Sequence, residues 1–155
     1  MKILGIDPGT TRLGYGVIET QRNELRIIDY GIIGFAAGSV TDRLQEIHSE
    51  LTKLIKNVKP GRVAFEQLFF YNNQKTAMRV SQAMGVALFA AAKAHAPIFE
   101  YTPLQVKQTV THSGAAKKEQ VQAMVKMLLK LDHIPQPDDA ADALAIAITC
   151  ALREQ

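Results

Sequence analysis

The first hydrophobic run of the chain is short and ends at a carboxylate. Residues 3–6 are apolar apart from one glycine, and Asp7 follows them directly, before Pro8 and Gly9. Such a run predicts a buried strand that holds Asp7 at its carboxyl end, after which the chain turns. Because Asp before Pro-Gly is also ordinary turn chemistry, a simple turn is the alternative interpretation of this residue.

Two further runs predict strands that pair with the first. Residues 15–18 are apolar or aromatic around Gly16, and Gly14 precedes them. Because glycines within a strand lack side chains, we expect something to approach the backbone closely here. Residues 25–35 are rich in β-branched and aromatic residues and predict a third strand. Three short strands in succession predict an antiparallel start to the sheet.

The hydrophobic period then changes to that of a helix. Thr41 or Asp42 can cap it, and Pro60 with Gly61 ends it. Its apolar positions are Leu44, Ile47, Leu51, Leu54, Ile55 and Val58.

A second strand that ends in a carboxylate follows this helix. Residues 62–66 form the run, and Glu66 is its last residue. A strand reached through a helix is most economically parallel to the first strand. This crossover would place Glu66 beside Asp7 at the same edge of the sheet.

The second half of the chain alternates predicted helices with one more strand. The predictions are a helix over 74–94, a strand over 97–101, and helices over 103–110 and 116–131. The predicted fold is therefore α/β, with a five-stranded mixed sheet flanked by helices. Its first three strands are antiparallel and the later ones parallel.

The last predicted helix begins near Asp139 and is apolar on all sides after its first turn, which indicates that it packs inside the protein. Asp139 and Asp142 share a face near its N-terminus. Asp138 and Asp139 have an ordinary explanation as cap and first-turn acids favoured by the helix dipole, but Asp142 lies deeper, between alanines. Since burial of an unpaired carboxylate is costly, we expect a partner for Asp142.

Composition and charge narrow the class of protein. The 155 residues predict one domain, residues 1–155, without an apolar run of membrane length or a signal peptide. A single cysteine, Cys150, excludes a disulfide framework, so the cytoplasm is the expected compartment.

The positive charge of the chain is distributed unevenly. Net charge is +3, yet residues 53–130 carry twelve Lys and Arg against three acids. Such a region is either a solvated lysine-rich face or a surface for a polyanion such as nucleic acid.

Four carboxylates, Asp7, Glu66, Asp139 and Asp142, form a candidate metal-binding cluster. Neighbouring carboxylates raise one another's pKa unless divalent ions take up the charge, and oxygen ligands favour Mg²⁺ or Mn²⁺ over Zn²⁺. This is the ligand type of a two-metal phosphodiester hydrolase. The four histidines show no ligand-like spacing, and we interpret them as structural or surface residues.

Five stretches of the sequence, taken together, carry a specific resemblance. They are residues 4–10, 14–18, 65–67, 105–110 and 139–147. In this order, and across nearly the whole chain, they resemble the RuvC family of bacterial Holliday-junction resolvases. The resemblance implies an RNase H-like fold, a homodimer, and Mg²⁺-dependent paired nicking of four-way junctions.

The resemblance also implies roles for the acidic residues. The family's catalytic and metal-binding acids map onto Asp7, Glu66, Asp139 and Asp142, with two Mg²⁺ ions per site. Asp138 is an additional neighbour, which leaves open which of the adjacent aspartates binds metal.

Implied DNA contacts lie elsewhere on the chain. Phe69 matches an aromatic residue that wedges at the junction centre, and Lys107 and Lys118 match lysines that contact phosphate, with Lys117 as a neighbour able to replace Lys118. The alternatives are core packing for one of residues 69–71 and solvated surface charge for the lysines. A partnership with RuvA and RuvB is implied by the resemblance alone.

The predicted dimer has a symmetry argument behind it. A four-way junction has approximate two-fold symmetry, and an isologous dimer presents two identical sites to opposing strands. The helix that carries Gly85 among small residues is our candidate for the dimer contact.

Three other functions remain open from the sequence. A related RNase H-like family processes ribosomal RNA precursors, and a preference for branched DNA over structured RNA would separate the two. Sugar kinases, actin and Hsp70 share the opening Gly-Ile-Asp-x-Gly-Thr-Thr but need two such lobes. A catalytically silent junction-binding module would bind junctions without metal-dependent nicking.

Overall fold

Five strands form one mixed sheet in this computed structural model, which describes residues 1–9, 11–22, 24–34, 38–68 and 74–154. The strands are β1 (Lys2–Pro8), β2 (Arg12–Gln21), β3 (Glu24–Gly34), β4 (Arg62–Glu66) and β5 (Ile98–Tyr101). Their spatial order is β3-β2-β1-β4-β5. The pairs among β1, β2 and β3 are antiparallel, whereas β4 pairs in parallel with both β1 and β5. The predicted mixed sheet is confirmed.

Helices cover both faces of the sheet. They are α1 (Val40–Val58), α2 (Gln74–Lys93), α3 (Pro103–Thr111), α4 (Lys118–Leu128) and α5 (Asp138–Arg153). One hydrophobic cluster joins α1 and α2 to one face, and a second joins α3, α4 and α5 to the other. Residues 143–151 of α5 are all buried, which confirms that the last helix packs inside the protein. Among the described residues, no helix has the length and apolar character to cross a bilayer.

The alternation of side chains along β1 and β4 places two carboxylates on the same face. Ile6 and Phe65 are register partners, and both pack in the cluster that contains α1 and α2. Because successive side chains of a strand point to opposite faces, the next residues, Asp7 and Glu66, both project towards α5. The predicted position of Glu66 beside Asp7 is confirmed, since both line one cavity.

Glycines of β1 and β2 allow α5 to lie unusually close to the sheet. A Cβ atom at Gly5 would come within 2.1 Å of the main-chain oxygen of Ala143, and one at Gly16 within 2.8 Å of the side chain of Leu144. The close approach expected at Gly14 and Gly16 is therefore confirmed, and the approaching element is α5. This contact fixes the height of the helix above the strand that carries the first carboxylate.

The N-terminal cap of α1 differs from the prediction. Ser39, and neither Thr41 nor Asp42, is the capping residue. Its Oγ accepts a hydrogen bond from the Asp42 N–H at 3.2 Å, while the Asp42 carboxylate accepts one from the Ser39 N–H at 3.0 Å. Asp42 is thus the third helical residue of a capping box, where an acid binds back to the cap.

The bounds of two later helices also differ from the prediction. The helix predicted over 116–131 is the shorter α4, because the main-chain N–H of Ala116 bonds to the Ser113 carbonyl in a turn before it. The last helix begins one residue earlier than expected, at Asp138, with Pro137 before it.

The small residues of α2 have two different environments. Four of them are buried within this chain: Ala83, Ala87, Ala90 and Ala91. Gly85 is exposed, and a Cβ atom built there would meet no atom of the described residues within 4 Å. The close helix contact expected from the alanines is thus made inside the protomer, and Gly85 alone of these residues faces outward.

Candidate active site

A cavity of about 210 Å³ lies at the carboxyl ends of β1 and β4, beneath α3, α4 and α5. Its charged lining residues are Asp7, Glu66, Lys107, Lys118 and Asp142. The others are Pro103, Val106, Val121 and Ala145. The structure therefore brings together three of the four predicted carboxylates with two of the predicted lysines. Of the described residues, none of the histidines lines this cavity.

Asp7 and Glu66 both have strongly raised pKa values. Burial raises the pKa of Asp7 from 3.8 to about 7, and the negative charges of Asp142, Glu66 and Asp139 add to this effect. Burial likewise raises the pKa of Glu66 from 4.5 to about 7, with a further contribution from Asp142. Lys107 opposes the shift of Glu66 because its positive charge favours the carboxylate. Such shifts of clustered acids in a cavity are typical of functional sites.

Asp142 has the partner that its burial requires. The Nζ atom of Lys118 lies 2.9 Å from Oδ2 of Asp142 and 3.4 Å from Oδ2 of Asp138. Burial still raises the pKa of Asp142 overall, although the contact with Lys118 opposes the increase. Burial alone would lower the pKa of Lys118, but the two aspartates outweigh it and raise the value.

Asp139 is placed differently from the other three acids. It does not line the cavity, and its carboxylate accepts a hydrogen bond from Nε of Arg12, with which it forms an ion pair. The Arg12 side chain is 44% exposed and that of Asp139 25% exposed. Asp139 remains close enough to raise the pKa of Asp7, so it belongs to the same electrostatic cluster.

The residues predicted to contact DNA differ in their position relative to the cavity. Lys107 lies on α3 and lines the cavity, as does Lys118 at the first position of α4. Lys117 is the exposed N-cap residue of α4, and it is not a lining residue; its main-chain N–H donates to Gln120 Oε1 at 2.8 Å. Phe69 lies outside the described residues.

The chemistry of the donor set fits a hard divalent cation. Four carboxylates supply only oxygen ligands, and their crowding raises pKa values that a cation would lower again. In the part of the chain that the structure describes, however, no three Asp, Glu, His or Cys side chains converge as a ready metal site. Two of the carboxylates instead contact cationic side chains, Asp139 with Arg12 and Asp142 with Lys118.

Two contacts of the site were not predicted from the sequence. Arg12 pairs with Asp139, and Gln122 Nε2 donates to Oδ1 of Asp138 at 3.2 Å. Gln122 is one of the few buried polar residues of the described chain, and a glutamine on the apolar side of a predicted helix was the available signal. Asp138 therefore has Lys118 and Gln122 as partners, whereas Asp139 pairs with Arg12.

Comparison with known proteins gives a consistent result. The family model described as Crossover junction endodeoxyribonuclease RuvC matches residues 3–150. Proteins of that description from Alkaliphilus metalliredigens and Heliobacterium modesticaldum are 52% and 53% identical, over 96% and 97% of this chain and 91% and 94% of their own lengths.

Solved structures agree with the sequence comparison. The Thermus thermophilus RuvC in complex with a Holliday junction substrate superposes with a TM-score of 0.94 at 36% identity, covering 99% of this chain and 94% of that one. The yeast mitochondrial Holliday junction resolvase, at 12% identity and a TM-score of 0.70 over 95% of this chain and 76% of its own, shows the same RNase H-like fold. The chain therefore belongs to the RuvC family of crossover junction endodeoxyribonucleases.

Proposed function

We propose that this protein, as one nuclease domain, resolves four-way DNA junctions by paired, symmetric nicks through metal-dependent phosphodiester hydrolysis. That it is a Holliday junction resolvase of recombination and repair follows from its family and from its likeness to a RuvC bound to junction substrate. The observation that carries the mechanism is the cavity in which Asp7, Glu66 and Asp142 face Lys107 and Lys118.

The acids of the cluster are the proposed metal ligands. Asp7, Glu66, Asp139 and Asp142 would hold two divalent ions, Mg²⁺ in the first place and Mn²⁺ as a substitute. When bound, such ions activate the attacking water and stabilise the leaving 3′ oxygen of the phosphodiester. Burial raises the pKa of Asp7 and of Glu66 to about 7 in the metal-free site, and a bound divalent ion would lower both values by stabilising the carboxylates.

Lys107 and Lys118 have the complementary role. Each presents a positive charge to the cavity from a different helix, α3 and α4 respectively. A scissile phosphate that enters would be drawn towards these ammonium groups, which compensate the charge that develops during hydrolysis. Lys118 would exchange its contact with Asp142 for one with phosphate, because charge-assisted bonds to both are of comparable strength.

The outer contacts with the junction rest on residues away from the cavity. Lys117, exposed next to Lys118, is proposed to contact a flanking phosphate. Phe69, which lies outside the described residues, is proposed to support unstacked bases at the junction centre, because aromatic rings can stack on bases. Both roles follow from the family's pattern of residues.

The dimer is proposed to form through α2. Its outward surface combines the open position at Gly85 with two large exposed apolar side chains, Met78 (66% exposed) and Phe89 (58% exposed). Residues three, four or seven apart lie on one side of a helix, so these three positions form one face. A second copy of the chain would bury this face and supply the second active site.

We further propose that RuvA and RuvB are partners of this protein and that the cytoplasm is its compartment.

Cleavage of a synthetic mobile four-way junction tests the proposal. The native chain and the Asp7→Asn variant are compared in Mg²⁺ and in EDTA, with Asp132→Asn as a control for an exposed aspartate outside the cavity. Symmetric nicks should appear with Mg²⁺ in the native chain and the control. The Asp7→Asn variant should bind the junction but not cut it.

Parallel substrates identify the alternatives. A linear duplex and a structured RNA precursor should be cut much less than the junction. Junction binding without nicking in any metal would instead support a silent binding module, and preference for the RNA would support the related processing family.

A further inference from the structure

The residue next to the first turn of the chain is coupled to the catalytic cluster. Arg12 opens β2, and its carbonyl accepts a hydrogen bond from the Gly9 N–H at 3.0 Å, which closes the turn after β1. Its main chain is therefore held close to the strand end that carries Asp7. From this position the guanidinium reaches Asp139 at the start of α5, 127 residues along the chain.

The contact places a permanent positive charge on one proposed metal ligand. The planar, positively charged guanidinium is well suited to pair with a carboxylate, so Arg12 compensates the charge of Asp139. Oδ2 of Asp139, the oxygen that Arg12 contacts, is also one that a metal ion could take. The guanidinium and a metal ion at this oxygen would repel one another, so the contact with Arg12 disfavours the ion there.

Lys118 holds Asp142 in a similar way but differs in one respect. Its ammonium group lines the cavity and faces the position proposed for the scissile phosphate. Arg12 is not among the lining residues of the cavity, and 44% of its side chain is exposed to solvent. Arg12 can therefore leave the carboxylate for solvent without crossing the cavity.

We propose that Arg12 is a positioning residue that occupies the Asp139 carboxylate in the metal-free protein and competes with the divalent ion for it. Arg12 keeps the carboxylate fixed and its charge compensated until the ion displaces the guanidinium. The site thus resists metal in the absence of DNA, and part of the metal's binding free energy goes into breaking this ion pair. This inference rests on the proposed metal-dependent function.

Binding of Mn²⁺ to the protein without DNA tests the competition. Mn²⁺ is titrated into the native chain, Arg12→Gln and Arg26→Gln, and free ion is measured by electron paramagnetic resonance. Arg26 is the matched control, because its guanidinium pairs with Glu24 at 3.6 Å on an exposed strand surface outside the cavity. Loss of a partly exposed ion pair should tighten Mn²⁺ binding about fivefold in Arg12→Gln. Arg26→Gln should match the native chain.

Two further variants separate competition from simple structural loss. Arg12→Lys restores the charge and should return Mn²⁺ affinity towards the native value. Arg12→Met replaces the charged side chain by an uncharged one, and it should tighten Mn²⁺ binding as Arg12→Gln does. If Arg12→Gln does not fold, Arg12→Met still tests the prediction. In EDTA, both neutral variants should melt at a lower temperature than the native chain, and Mn²⁺ should raise their melting temperature by more.

The possible results distinguish this inference from the function on which it rests. If the native chain binds Mn²⁺ and both neutral variants bind it equally well or more weakly, the proposed role of Arg12 is overturned. The proposed metal-dependent nuclease function is then unaffected. Absence of Mn²⁺ binding in every form, with junction nicking in EDTA, overturns both.

Discussion

The main-chain carbonyl oxygen of Asp139 lies directly against Gly14. A Cβ atom built on Gly14 would be 2.1 Å from that oxygen, far inside van der Waals contact. Gly14 is also the register partner of Asp7 across β1 and β2. The glycine therefore sets the distance between the strand-borne carboxylate and the first turn of α5, where the other acids begin.

Substitution of Gly14 by Ala should damage both stability and activity. The new methyl group cannot be accommodated without moving α5 or β2, and overpacking of this kind costs roughly 1–3 kcal/mol. We expect a loss of that size in the free energy of unfolding, measured by urea denaturation. Junction nicking should fall further than stability explains, because the shift separates Asp139 and Asp142 from Asp7.

Gly34 supplies the control for this prediction. It ends β3 in the same sheet, and within the described part of the chain a Cβ atom there would meet nothing within 4 Å. Gly34→Ala should leave stability and nicking close to those of the native chain. A Gly14→Ala variant as stable and active as Gly34→Ala would show that α5 is not held at its present height by this contact.

Lys118 of α4 and its neighbour Lys117, the N-cap residue, should differ sharply in their effect on nicking when each is replaced by methionine. Lys118 contacts Asp142 and Asp138 and lines the cavity, so Lys118→Met should lower the nicking rate about tenfold to a hundredfold, as expected for one charge-assisted bond. Lys117 is exposed outside the cavity, and Lys117→Met should weaken junction binding modestly and mainly at low salt. Single-turnover cleavage measures the nicking rate of each variant, and binding at several salt concentrations measures its affinity for the junction. Equal losses of nicking rate in the two variants would mean that the two lysines contribute equally to the site.

Strand periodicity made the first two carboxylates predictable from the sequence. An apolar run that ends in an acid predicts the position of Asp7, and the helix-linked parallel crossover predicts Glu66 beside it. The same reasoning found the close approach at Gly14 and the need for a partner to Asp142. Each of these depends on local pattern or on one general rule of chain connection.

The contacts of Arg12 and Ser39 could not be predicted from the sequence, for different reasons. The pairing of Arg12 with Asp139 depends on how far α5 is shifted along β2, which many distant contacts determine together. Ser39, Thr41 and Asp42 are all acceptable caps by residue type, and the path of the chain into α1 selects among them. Phe69 stays a prediction.

Introduction of a large charge at Gly85 should separate the proposed dimer without unfolding the protomer. Gly85 is exposed, and a Cβ atom there would meet no atom of the described residues within 4 Å, so an arginine can leave the helix surface without displacing a packed residue. Gly85→Arg should therefore be a folded monomer by light scattering, with a melting temperature that no longer depends on concentration. Ala83→Arg, at a position only 1% exposed, should instead unfold the protomer. A dimeric Gly85→Arg variant would place the interface elsewhere.

The stability of the metal-free protein should fall as pH rises from about 4 to 7. Asp7 and Glu66 have pKa values of about 7 in the folded chain, against 3.8 and 4.5 ordinarily, so the folded state binds more protons than the unfolded state in this interval. The protonated carboxyl groups of Asp7 and Glu66 contribute fully to the stability of the fold at pH values below their ordinary pKa values. This contribution declines as the carboxyl groups of the unfolded chain ionise, and it is lost above about pH 7.

Thermal unfolding in EDTA between pH 4 and 8, with Asp7→Asn for comparison, measures this dependence. The neutral amide keeps the shape of the side chain but cannot ionise, so the variant should melt progressively higher than the native chain as pH rises to 7. Mg²⁺ should reverse the order at neutral pH, because the native carboxylate binds the ion and the amide binds it weakly. Native and Asp7→Asn curves that run parallel in EDTA across this range would contradict the raised pKa of Asp7 and the electrostatic strain that a bound cation is proposed to relieve.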